Sequence, residues 1–96
     1  MDVICITEGW SSETIADIIA EALKSYCKRL GSANLDDSVL TILSSNSWYI
    51  AIVESSDYTD IYACQDLRSL VSFLIAEYDI DEEYDREIYH MLVGII

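Results

Sequence analysis

The chain contains no proline and only three glycines in 96 residues. Nothing in it reads as a linker, and residues 1–96 are expected to form a single domain. Positive charge is also scarce. Five Lys and Arg stand against eighteen Asp and Glu, a formal net charge of −13. Nucleic acid and anionic membranes are gripped through Lys and Arg, so direct binding to either is not expected. Long hydrophobic runs are missing too, since none approaches the ~20 apolar residues of a membrane-spanning helix. The opening MDVICITEGW lacks both the basic and the apolar segment of a signal peptide. The three cysteines, Cys5, Cys27 and Cys64, are odd in number and show no C-x-x-C spacing. They fit a reduced cytoplasmic protein better than a disulfide framework.

What is present is apolar. Hydrophobic residues make up 52% of the chain, too many for a disordered acidic tail. Residues 2–7 are β-branched and read as a strand. After Gly9-Trp10, Ser11 or Ser12 is placed to cap a helix running to about Leu30 and closed by Gly31. Ile15, Ile18, Ile19, Ala22, Leu23, Tyr26 and Leu30 form its apolar stripe at helical spacing. SANLDDS reads as a loop. VLTIL and WYIAIV, joined by Ser44-Ser45-Asn46-Ser47, read as a hairpin, and YTDIYAC (58–64) as the next strand. Asp66 is placed to cap a second helix with Leu67, Leu70, Val71, Leu74 and Tyr78 on one face. A last helix is expected from about Glu82, with Tyr84, Ile88, Met91, Leu92 and Ile95 as its stripe. The order β-α-β-β-β-α-α predicts an α+β domain, an antiparallel sheet with helices packed on one face.

Catalytic chemistry finds no foothold. One histidine, His90, has neither a nucleophile nor an orienting group at a recognisable spacing. Asp79, Asp81 and Glu83 match the first three positions of a calcium-binding EF-hand loop. The sixth position is Tyr84 instead of Gly, and the twelfth is His90 instead of Glu. The sequence therefore predicts no enzyme, no metal and no cofactor.

The distinctive segment is EYDIDEEYDRE, residues 77–87. Seven of its eleven residues are acidic, and Arg86 is the single cation. Helix-dipole stabilisation at a helix N-terminus accounts for Asp81, Glu82 and Glu83. It does not account for Glu77 and Asp79, at the wrong end of the preceding helix, or for Asp85 and Glu87. Carboxylates four apart on a helix stand about 6 Å apart along its axis, against one phosphate per ~3.4 Å of each DNA strand. Glu83/Glu87 have that spacing, as does a second row, Glu13/Asp17/Glu21. Asp57 and Asp60 extend the expected surface from the sheet edge. Tyr58 and Tyr78 sit beside these acids, where their rings are available to stack on arginine. Tyr26 and Tyr84 are assigned to the core.

Taken together, Glu77, Asp79, Asp81, Glu82, Glu83, Asp85, Glu87, Asp57, Asp60, Tyr58 and Tyr78 form the candidate partner-binding set. The expected partner is a basic nucleic-acid-handling protein, a nuclease or CRISPR effector. In size and composition the chain resembles phage-encoded anti-defence proteins, the anti-CRISPR proteins and the DNA mimics that block restriction enzymes or repair glycosylases. No motif carries individual residues over. The resemblance implies a small cytoplasmic inhibitor. An immunity protein for a nuclease toxin shares the same physics. An assembly module dimerising through the apolar C-terminus, MLVGII, is the alternative from another class.

Overall fold

A computed structural model describes residues 2–11 and 15–96. Its element order is β1 (Ile4–Ser11), α1 (Ile15–Tyr26), β2 (Lys28–Leu35), β3 (Ser38–Ser45), β4 (Trp48–Glu54), β5 (Tyr58–Cys64), α2 (Leu67–Glu77) and α3 (Arg86–Gly94). The five strands form one sheet in the order β1-β5-β4-β3-β2, antiparallel throughout. The protein is an α+β domain.

Strands β2 to β5 are a meander. Two-residue turns at Asp36-Asp37 and Asn46-Ser47 set its register, pairing Leu35 with Ser38 and Ser45 with Trp48. Asp36 and Asn46 both take positive φ, 52° in each case, which Asp and Asn tolerate better than other side chains. β1 lies beside β5, so β1 and β2 are opposite edges. The only connection between them is α1 and its flanking residues. Four inter-strand steps span ~19 Å, and a helix of 12 residues is ~18 Å long. The helix therefore crosses the sheet from one edge to the other and packs against β1, β5 and β3.

Strand alternation divides the core in two. One face presents Leu40, Ile42, Ala51, Val53, Tyr62 and Cys64 to Leu70, Val71 and Leu74 of α2 and Ile88 and Leu92 of α3. The other presents Leu43, Ile50, Ile52, Ile61 and Ala63 to Ala20, Ile19 and Leu23 of α1. The helices thus do not share one face, as the sequence reading had them. A helix that must join opposite edges has a whole face to itself.

The sequence also hid a strand. The helix expected to reach Leu30 ends at Tyr26, and KRLGSANL is edge strand β2. Gly31 is not a helix cap. A Cβ on it would stand 2.8 Å from Met91 Sδ, so glycine lets α3 lie close against β2. Of the two expected caps, Ser11 is the last residue of β1, whereas Ser12 and the first acid of the second row, Glu13, lie outside the described residues. Asp66 caps α2 as expected. Its carboxylate accepts from the Ser69 hydroxyl at 2.6 Å and the Ser69 N–H at 2.9 Å, and these two bonds hold its pKa below the ordinary Asp value.

Candidate functional site: the acidic end of the sheet

Strand direction decides which carboxylates meet. β2 ends, and β3 begins, at Asp36-Asp37. β4 ends, and β5 begins, at the turn 55–57, so both turns lie at the same end of the sheet. In the second turn the Ser55 hydroxyl accepts from the N–H groups of Asp57 and Tyr58, at 3.2 and 3.1 Å, and Asp57 is left exposed at the tip. α2 starts beyond the far end of β5 and runs back, ending at Tyr78 beside the two turns. Asp36, Asp37, Asp57, Tyr58 and Tyr78 line one shallow depression there. Glu77 and Asp79 flank Tyr78 in the chain and are exposed.

The rest of the acidic run follows from this point. Asp79 turns the chain with φ of 51°, and Ile80 then enters the core. Residues 82–85 form a turn of their own, so the last helix starts at Arg86 instead of Glu82. That turn is closed reciprocally. The Asp81 carboxylate accepts from the Glu83 and Tyr84 N–H groups at 2.7 and 3.0 Å, and the Asp85 carboxylate accepts from the Asp81 N–H at 2.9 Å. The arrangement works as a capping box does, each acid satisfying backbone donors of the other's segment. Glu82, Glu83 and Glu87 are exposed. Glu83 and Glu87 do not share one helix.

Arg86 stands within the run and lines a depression with Glu82 and Glu83. The other cations are elsewhere. Lys28 and Arg29 open β2, at the opposite end from Asp36-Asp37, and Arg68 opens α2, opposite Glu77. The described residues form two ion pairs, both made by Lys24, to Glu21 and Glu54 at 2.9 Å each. Burial works against the Lys24 charge, but its bonds to Glu54 and Glu21 outweigh that and raise its pKa. Asp17 and Glu21, the described part of the second acidic row, are exposed on α1. Among the described residues no three His, Cys, Asp or Glu side chains converge to hold a metal. Among the described residues no helix is long and apolar enough to cross a membrane.

Three expectations change. Asp60 is not on a surface or an edge. It lies on interior strand β5, only 6% exposed, on the face covered by α2 and α3. The Tyr78 hydroxyl donates to its carboxylate at 2.7 Å and shares a 2.8 Å bond with the Tyr62 hydroxyl. Burial, followed by the bonds to Tyr62 and Asp60, pushes the Tyr78 pKa far above the usual phenol value. Tyr26 and Tyr84, assigned to the core, are 89% and 87% exposed. Helical spacing placed both on apolar stripes, but Tyr84 precedes α3 and α1 rests on its other side. Conversely, the sequence pattern marks Asp36 and Asp37 only as part of a loop. The signal was there: a pair of aspartates between Leu35 and Ser38 is a two-residue turn, and it opens onto the same end as the turn at Asp57.

The C-terminal apolar segment is largely committed to the chain's own sheet. Leu92 is buried, Met91 and Ile95 pack against the same core, and Val93 and Ile96 remain exposed. Compared with models of protein families, with curated proteins and with solved structures, the chain matches none.

Proposed function

We propose that this protein is a small non-enzymatic inhibitor whose acidic end occupies the nucleic-acid groove of a basic protein, in the manner of a phage anti-defence protein acting in the host cytoplasm. The observation that carries this reading is the convergence of carboxylates from two hairpin turns and the end of α2, with no cation from the same elements beside them. Self-repulsion at one end opposes folding. A partner lined with Lys and Arg relieves it, and the charge pattern that repels DNA attracts a DNA-binding groove. Tyr58 and Tyr78 give the depression aromatic walls against which a guanidinium can stack.

The test is competition. The purified protein is titrated into cleavage or excision reactions of CRISPR effectors, restriction endonucleases and repair glycosylases, at increasing concentrations of duplex substrate. Inhibition of at least one enzyme is expected, relieved by excess duplex and weakened steeply between 0.1 and 1 M salt, as the Debye length shrinks from about 10 to 3 Å. A variant with Asp36, Asp37, Asp57 and Asp79 changed to Asn should fold and lose about a hundredfold or more in affinity, since each well-formed charge-assisted contact contributes roughly 1.5–3 kcal/mol. Full inhibition by that folded variant, or no inhibition of any enzyme by the unaltered protein, overturns the reading.

A further inference from the structure

Between Ile80 and Ile88 no residue is fully buried. Residues 81–87 carry five carboxylates and one cation, so like-charge repulsion pushes this stretch away from the equally acidic turns. Two anchors oppose it at its start. One is Ile80, whose side chain enters the core and whose N–H donates to the Ile75 carbonyl at 3.0 Å. The other is Tyr78, which ends α2 with its N–H on the Leu74 carbonyl and sends its hydroxyl inward to Asp60 and Tyr62. The Tyr78 and Tyr62 rings meet edge to face, with centroids 6.2 Å apart. A buried carboxylate is costly unless hydrogen-bonded, so Asp60 holds the phenol as firmly as the phenol satisfies it.

We propose that the Tyr62–Tyr78–Asp60 hydrogen-bond chain is a positioning device for the acidic end: it pins the C-terminus of α2 to interior strand β5 and fixes where residues 79–85 stand against the Asp36-Asp37 and Asp57 turns. Asp60 then acts through Tyr78 and touches no partner. Tyr78 belongs to both sides of the device, since its ring also walls the acidic depression. The ordering role stands by itself. Its consequence for binding rests on the function proposed above, because a basic groove gains most from charges already held in place.

Tyr78→Phe removes one hydroxyl and keeps the ring, and Asp60→Asn keeps the shape and removes the charge. Amide hydrogen exchange is measured in both. The Ile80 and Asp85 amides should exchange about tenfold faster or more, the size expected for losing one hydrogen bond to a charged group, while amides of β3 and β4 change little. The double variant should exchange no faster than Tyr78→Phe alone, because losing the Tyr78 hydroxyl already removes its bonds to both Asp60 and Tyr62. A residue that merely stabilises the whole fold would speed the strands in proportion, and that outcome overturns the proposal. So do unchanged exchange at Ile80 and Asp85 and loss of cooperative unfolding in either variant. Nona-arginine titrated calorimetrically at 0.1 M salt separates the two claims. Weaker binding to Tyr78→Phe alongside local loosening supports both. Local loosening with no nona-arginine binding by the unaltered protein sinks the basic-partner reading and leaves the device standing.

Discussion

The two faces of the sheet are built from similar strands but covered in different ways. On one, α2 and α3 bury Leu70, Val71, Leu74, Ile88 and Leu92 over large aliphatic residues and Tyr62. On the other, α1 alone lies across the strands, and its fully buried residues are Ala16 and Ala20. Its bulky Ile15 and Ile18 stay 61% and 69% exposed. The difference teaches that an apolar stripe marks a helix without fixing which side it rests on. A helix crossing the strands of a twisted sheet comes closest through small side chains. Here that contact is also tied by Lys24, which reaches from α1 to Glu54 at the end of β4.

Opposite substitutions should therefore damage the two faces. Leu74→Ala, on the two-helix face, leaves a cavity between α2 and the sheet. It should lose about 2–5 kcal/mol in guanidinium denaturation. If the loss is below about 1 kcal/mol, this face is not the principal core. On the single-helix face the harmful change is in the other direction. Ala20→Leu inserts bulk where helix and sheet touch and should cost about 1–3 kcal/mol. A neutral or stabilising Ala20→Leu would mean that α1 stands off the sheet.

Acid should also distinguish the faces, because α2 carries the described carboxylate cap. The pKa of Asp66 is lowered in the fold by its bonds to Ser69. Its contribution is therefore complete above the ordinary Asp value of 3.8 and is lost as pH falls through the lower folded pKa. Denaturation of the unaltered protein and of Asp66→Asn, followed from pH 7 to pH 2, should show a stability gap that is constant at neutral pH and closes below about pH 4. A gap independent of pH would show that the carboxylate charge does not matter to the cap. The smallest effect is expected on the exposed side of α1. Ile18→Ser should change stability by no more than about 0.5 kcal/mol. A larger loss that depends on protein concentration in light scattering would show that this ridge is covered in solution by another copy.

Much of the fold was legible because its signals are local. The hairpin at Asn46-Ser47, the strand YTDIYAC and the Asp66 cap each follow from a few neighbouring residues, and each stands where those residues put it. β2 was not legible. Its eight residues hold few aliphatic side chains, and its glycine mimics a helix stop. It is a strand because β3 supplies the hydrogen bonds and α3 covers one side. The candidate site divided in the same manner. The concentration of acid at 77–87 is plain in the sequence. The contribution of Asp36 and Asp37 depends on two turns that are distant in the chain and neighbours in the sheet.

The sequence by itself determined the charge imbalance, the strand-rich meander, the capped second helix and the acidic run, since composition and short-range periodicity are properties of the chain. Tertiary structure alone decided that α1 has its own face, that the acids of two hairpin turns and the end of α2 gather at one end, and that Asp60 is an internal anchor instead of a surface charge. The physical reason is that strand direction and pairing order fix which turns share an end, and burial depends on which helix covers each face. Neither is written within any stretch short enough to be read by spacing.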